Sequence, residues 1–308
     1  MRVRLPDFIT NATTSGPEKM IYHSLDAFLA SSKTILTNGP IALVFVEDDV
    51  EVATTLRHHL QCGFKTVVAL MPDAFTLPKE LENQVHRIPF ECHPSRLVFE
   101  TLNRIIAGAA AGCWLYYCFN AEYLFYPFSK TRTIGEMLAF HTEERRDSML
   151  TYVVDLYAHQ PDKPERVVSI EHAYLDRSGY YAQARKDPET SQIRERQLDF
   201  FGGLRWRFEE HIPATSRKID RIALFRARPG LRLNANHTFN EPEYNTYSCP
   251  WHHNLTAAIC SFRTAKALKH NPGSRSEIKT FYYRNSVPFQ WNSNQLLDLG
   301  LMEPGQWF

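Results

Sequence analysis

Residues 41–48, IALVFVED, run apolar for six positions and then end in acids. A strand without polar alternation must be covered on both faces, which calls for helices on either side of a sheet with parallel strands. Val52, Leu56 and Leu60 follow at helical spacing, with Asp48 or Asp49 placed to cap that helix and Gly63 to close it. KTVVALMP (65–72) reads as the second strand and QVHRIPF (84–90) as the third. Pro94 and Ser95 open a helix whose apolar side carries Leu97, Val98, Leu102, Ile105 and Ile106, and CWLYYCF (113–119) follows as a strand. Alternating strands and helices predict an α/β fold with a mostly parallel central sheet flanked by helices and a C-terminal elaboration.

Ligands of such sheets bind beyond the carboxyl ends of the strands. The polar residues expected there are Glu47, Asp48 and Asp49, then Asp73, then Asn120 and Glu122. The last two interrupt CWLYYCFNAEYLFYPF (113–128), which is otherwise apolar. Two readings fit them: a satisfied structural pair, or a site for a cation or charged ligand. Further on, Thr133 and Glu136 have the form of a capping box, SMLTYVVDLYA (148–158) favours a buried strand, and RKDPETSQIRERQ (185–197) reads as a solvated loop or helix.

Composition excludes several classes. With 35 basic and 34 acidic residues the net charge is +1, which gives no reason to expect a nucleic-acid partner. The best candidate for a membrane span, Ile105 to Phe119, is too short to cross about 30 Å of hydrocarbon, and the first residues lack the apolar run of a secretory signal. A cytoplasmic location is expected, with docking at the inner membrane surface left open. The six cysteines form no CxxC pair and read as reduced thiols; Cys249, His252, His253 and Cys260 bring soft zinc-ligand types together without a paired-Cys motif. No GxGxxG follows the first strand, which argues against a dinucleotide enzyme.

Five segments carry a resemblance. VEDDVEVATTLRHHLQCGF (46–64) resembles the opening strand and helix of glycosyltransferase family 2, the branch with a GT-A fold. CWLYYCFNAEYLFYPF resembles that family's segment reading Asp-x-Asp-Glu-Phe-Leu, and FGGLRWRF (201–208) its Phe-Gly-Gly-x-Arg motif. KIDRIALFRA (218–227) and WHHNLTAAICSFRTAKAL (251–268), with His237 between them, resemble its basic strand and late histidine segment. The similarity spans roughly residues 40–270, with 1–39 as an extension and 271–308 as a tail packing on the domain.

The resemblance implies sugar transfer from a nucleotide-sugar donor to a glycan or lipid-linked acceptor, as in polysaccharide biosynthesis. It also implies a Mg or Mn ion. Phe119 and Ala121 stand where the family has its two metal-binding aspartates, which leaves Asn120 and Glu122, with His252 or His253, as the implied metal ligands. The implied donor-binding set is Glu47, Asp73, Asn120, Glu122, Arg205, Arg207, Lys218, Arg221 and His237. Alternation along a strand would set Arg205 and Arg207 on one face. Asp147, Asp155 and Glu171 are the positions open to a general base. A non-catalytic relative that binds a nucleotide or glycan is the alternative.

Overall fold

The computed structural model describes residues 20–160, 163, 166–247 and 254–307. Ile41–Phe45 (β1), Thr66–Met71 (β2), His86–Pro89 (β3) and Trp114–Phe119 (β4) pair in parallel in the order β3-β2-β1-β4. β1 is buried at every position, as its unbroken apolar run requires. The helices Val52–Gln61 and Arg96–Gly108 make the connections. Asp48 and Asp49 do not cap the first of these. Glu51 holds the N-cap in a left-handed conformation without a side-chain cap bond, and Asp48 instead accepts the Val50 N–H.

Beyond β4 the sheet departs from the expected parallel order. Glu122–Phe125 (β5) follows β4 through a turn at Asn120 and Ala121. Ser148–Ala158 (β6) is buried along its whole length, as its Val and Tyr content predicts. Asp220–Arg226 (β10) lies between β4 and β6 and is antiparallel to both. Ala257–Ser261 (β11) joins β6 in parallel to β5 in antiparallel. This circuit returns the sheet to the strand after β4, so the sheet curls. Ala173–Asp176 (β7) and Ser286–Pro288 (β12) extend the antiparallel edge. The result is a mixed sheet of ten strands among the described residues, not a mostly parallel one.

Two local expectations are overturned. Within residues 185–197 only 187–192 form a loop and none a helix: Tyr181–Lys186 (β8) and Ile193–Phe201 (β9) make an antiparallel hairpin around that turn. The motif FGGLRWRF is not a strand beyond Phe201, because Gly203–Arg207 turns into a short helix. Gly203 sits at φ 61°, and a Cβ there would meet the Asp155 carboxylate at 2.9 Å. Glycine therefore lets the Asp155 side chain reach the helix start. The Thr133–Glu136 capping box is formed and begins the Ile134–Glu143 helix. Among the described residues no helix is long and apolar enough to cross a membrane.

β10 is the strand that locks the parallel and antiparallel halves together, and Leu224 on it is wholly buried opposite Tyr116 and Met149. Leu224→Ala is expected to cost about 2–5 kcal/mol, by lost burial plus the cavity left behind. Urea unfolding should show a lower midpoint with an unchanged slope; a variant as stable as the parent would contradict this role.

Candidate functional site

Glu122 begins β5, and its carboxylate is wholly buried. Arg221 of β10 grips it through Nη1 to Oε2 at 2.7 Å and Nη2 to Oε1 at 3.2 Å. The Phe119 N–H and the Ser261 hydroxyl donate to the same two oxygens at 2.9 and 3.1 Å. Burial alone would raise the Glu122 pKa. The Arg221 guanidinium, with Arg263 and the Phe119 N–H, outweighs that and holds it at about 2. Asn120 is equally saturated: its Oδ1 accepts the Glu47 N–H at 2.9 Å, and its Nδ2 donates to Asp48 and to the Val50 carbonyl. The polar pair inside the apolar run is thus the structural one, stitching β4, β1 and β10 together.

A divalent ion held by Asn120 and Glu122 does not fit this arrangement. The one amide oxygen and both carboxylate oxygens already accept hydrogen bonds from protein donors, and a guanidinium occupies the place of a cation. Among the described residues no group of three or more His, Cys, Asp and Glu side chains is arranged to hold a metal. The expected metal ligands His252 and His253, and with them Cys249 of the possible zinc cluster, lie outside the described residues. Cys260 is buried in β11.

In front of this buried layer opens a cleft of about 990 Å³. Its polar lining includes Glu47, Arg205, Lys218, Arg221, His237 and Arg263. The cleft is lined by Glu47 and Asp48 just beyond the carboxyl end of β1, beside β4, where the chain order of the sheet reverses direction. Each arginine is backed by a carboxylate. Arg221 has Glu122; Arg263 has Glu47, with two bonds of 2.6 Å; and Arg205 has Asp155, whose Oδ2 also accepts the Arg205 N–H at 3.3 Å. Arg205 Nε also donates to Thr264 and its Nη1 to the Lys218 carbonyl. Lys218 pairs with Asp199, and Lys266 with Asp48.

The Arg263–His270 helix supplies Arg263 and Lys266, three residues apart and therefore on one face, and both reach the end of β1. His237 Nδ1 meets the Tyr117 hydroxyl at 2.8 Å. Burial, then the charges of Arg221, Arg263 and Arg205, drive its pKa well below the ordinary value, so the ring is neutral.

Several expected site residues are elsewhere. Asp73 is not in the cleft: its side chain is 81% exposed and lies 3.9 Å from Arg87. Arg207 points the other way from Arg205, because both sit on a helix and not on a strand. It binds Asp176 and stacks 3.7 Å over the Tyr283 ring. Glu122 and Asn120 lie beneath the lining. Of the three positions open to a base, Asp147 pairs with Arg226, Asp155 is wholly buried behind Arg205, and Glu171 is exposed on the loop before β7. Sequence reasoning missed Arg263 and Lys266, although their spacing after the apolar segment AAICSF marked a cationic helix face.

Compared with models of known protein families and with curated proteins, the chain matches none.

Because the folded-state pKa of Glu122 is depressed, its pair contributes stability that is complete above about pH 4.5 and is lost as pH falls toward 2. Glu122→Gln leaves Arg221 buried and unpaired, which costs about 3–5 kcal/mol at neutral pH. Urea unfolding across pH should show that deficit shrinking below pH 4.5; a deficit that is the same at every pH would contradict the assignment.

Proposed function

We propose that the chain binds a nucleotide sugar in this cleft and acts as a glycosyltransferase toward a saccharide or lipid-linked acceptor. One observation carries the reading: three arginines converge on a single cleft beyond the end of β1, Arg221 and Arg205 backed by the buried carboxylates of Glu122 and Asp155 and Arg263 paired with Glu47 on the cleft wall. Guanidinium groups fixed in this way present their remaining N–H groups in a planar array suited to phosphate oxygens. Glycosyl transfer breaks the bond between the anomeric carbon and the diphosphate, and the charge left on the diphosphate must be stabilised as it develops. Arg205 and Arg221 are already oriented for that charge, and Arg263 meets it by exchanging its Glu47 partner for the anion. The similarity of 201–208 to the Phe-Gly-Gly-x-Arg motif adds to this reading, since Arg205 is the arginine of that motif.

A second reading, a non-catalytic relative that binds the nucleotide or glycan, draws on a specific observation. The carboxylates lining the cleft are Glu47, Asp48 and Asp220, and each is already engaged, with Arg263, Lys266 and Arg185 respectively. A general base for the acceptor hydroxyl needs an oxygen within reach of that proton and not committed to a cation.

Thermal unfolding with UDP and with GDP tests the shared part of both readings. At about a hundred times its dissociation constant, the nucleotide that fits should add about 2.7 kcal/mol of stability. Arg205→Gln should remove most of that gain. Slow release of free sugar from the matching nucleotide sugar supports the enzyme; binding without any release supports the module; no response to either nucleotide contradicts both.

A further inference from the structure

Phe119 occupies a position where the family resemblance places an acid, and what surrounds it is cationic. The Arg263 guanidinium lies 3.7 Å from the centre of its ring and that of Arg221 lies 5.6 Å from it. Arg205 is close enough to both that their charges act on it, and all three act on His237. All three guanidinium groups line the same cleft. An aspartate at 119 would sit among them as a further counter-charge; an aromatic face instead holds them by cation–π attraction and leaves their charge available.

The three differ in access. The Arg221 side chain is 3% exposed, that of Arg205 14% and that of Arg263 30%, so Arg263 is the one a ligand reaches. Its present partner is Glu47, in the bidentate form that a phosphate would also adopt. The Glu47 backbone is fixed by its N–H to Asn120 Oδ1, and Arg263 is fixed by the Phe119 ring and by its own N–H to the Ser261 hydroxyl. Neither backbone therefore depends on the Glu47–Arg263 pair for its position.

We infer that the arginine cluster takes over the charge neutralisation a divalent ion would supply, so that the cleft binds a pyrophosphate-class anion without metal, and that Glu47 is the internal carboxylate this anion displaces from Arg263. The ligand class rests on the nucleotide-sugar reading; the anion site is testable apart from it. Glu47 is then a brake on binding and not the donor contact that the resemblance implies.

Calorimetric titration of the full chain provides the test, with inorganic pyrophosphate in EDTA and with UDP in EDTA or in Mn. Pyrophosphate should bind in EDTA, and UDP should bind equally well in either medium. Glu47→Gln should tighten pyrophosphate binding on the order of tenfold, and Arg263→Gln should weaken it by at least about as much, the size expected for one charged partner gained or lost. Arg263→Lys, which keeps the charge and loses the fork, should fall between parent and Arg263→Gln. If Arg263→Gln does not fold, the direction of the Glu47→Gln change decides alone. Weaker binding in Glu47→Gln, or pyrophosphate failing to bind in EDTA, overturns the inference. UDP binding that requires Mn overturns it and leaves the nucleotide-sugar reading standing. Pyrophosphate binding without any response to UDP supports the site and removes that reading.

Discussion

The buried pair between Glu122 and Arg221 is the interaction on which the rest of this molecule depends. Both groups are almost wholly withdrawn from water, a cost of several kcal/mol for each ion if unmet. It is met because Glu122 receives donors from Arg221, Phe119 and Ser261, so that three strands agree on one position. Ser261 lies opposite Glu122 on one side and opposite Asp155 on the other. The pair therefore ties β4, β5, β10 and β11 together at the point where the sheet curls.

The chemistry of the cleft follows from that layer. Glu122 and Asp155 lie beneath the cleft wall and Glu47 on it, and each holds an arginine facing the opening. The arrangement is close to neutral in sum and strongly directional in its donors. On the proposed reading, such a surface would recognise a planar or tetrahedral anion by geometry and not by long-range attraction, in keeping with a net charge of only +1. Lys266 and Arg263 reach the end of β1 from one helix, so the crevice at the strand-order reversal is bridged by protein cations.

The parallel quartet was legible because runs such as IALVF and TVVALM have no polar face and can only be interior strands. The capping box at Thr133 was legible because its signal is entirely local. What escaped notice depends on partners distant in sequence. Most of 185–197 is solvated, as its charges suggest, but the Arg185 guanidinium is buried between Asp199 and Asp220, partners outside that segment. Arg205 and Arg207 appear to share a face until Gly203 turns the chain into a helix. Glu122 was visible as an anomaly, but whether it served a ligand or a partner rested on Arg221, ninety-nine residues away. Arg263 is 216 residues from Glu47, and nothing local to either announces the contact.

A double-mutant cycle on Glu122→Gln and Arg221→Met, read by unfolding free energy at neutral pH, tests the central claim most directly. If the pair is a single structural unit, the double variant is more stable than the sum of the single losses predicts, by on the order of 2–3 kcal/mol, because neither charge is left buried alone. Losses that add to within about 0.5 kcal/mol would mean that the two residues act independently, and the account of the sheet and of the cleft built on it would not stand.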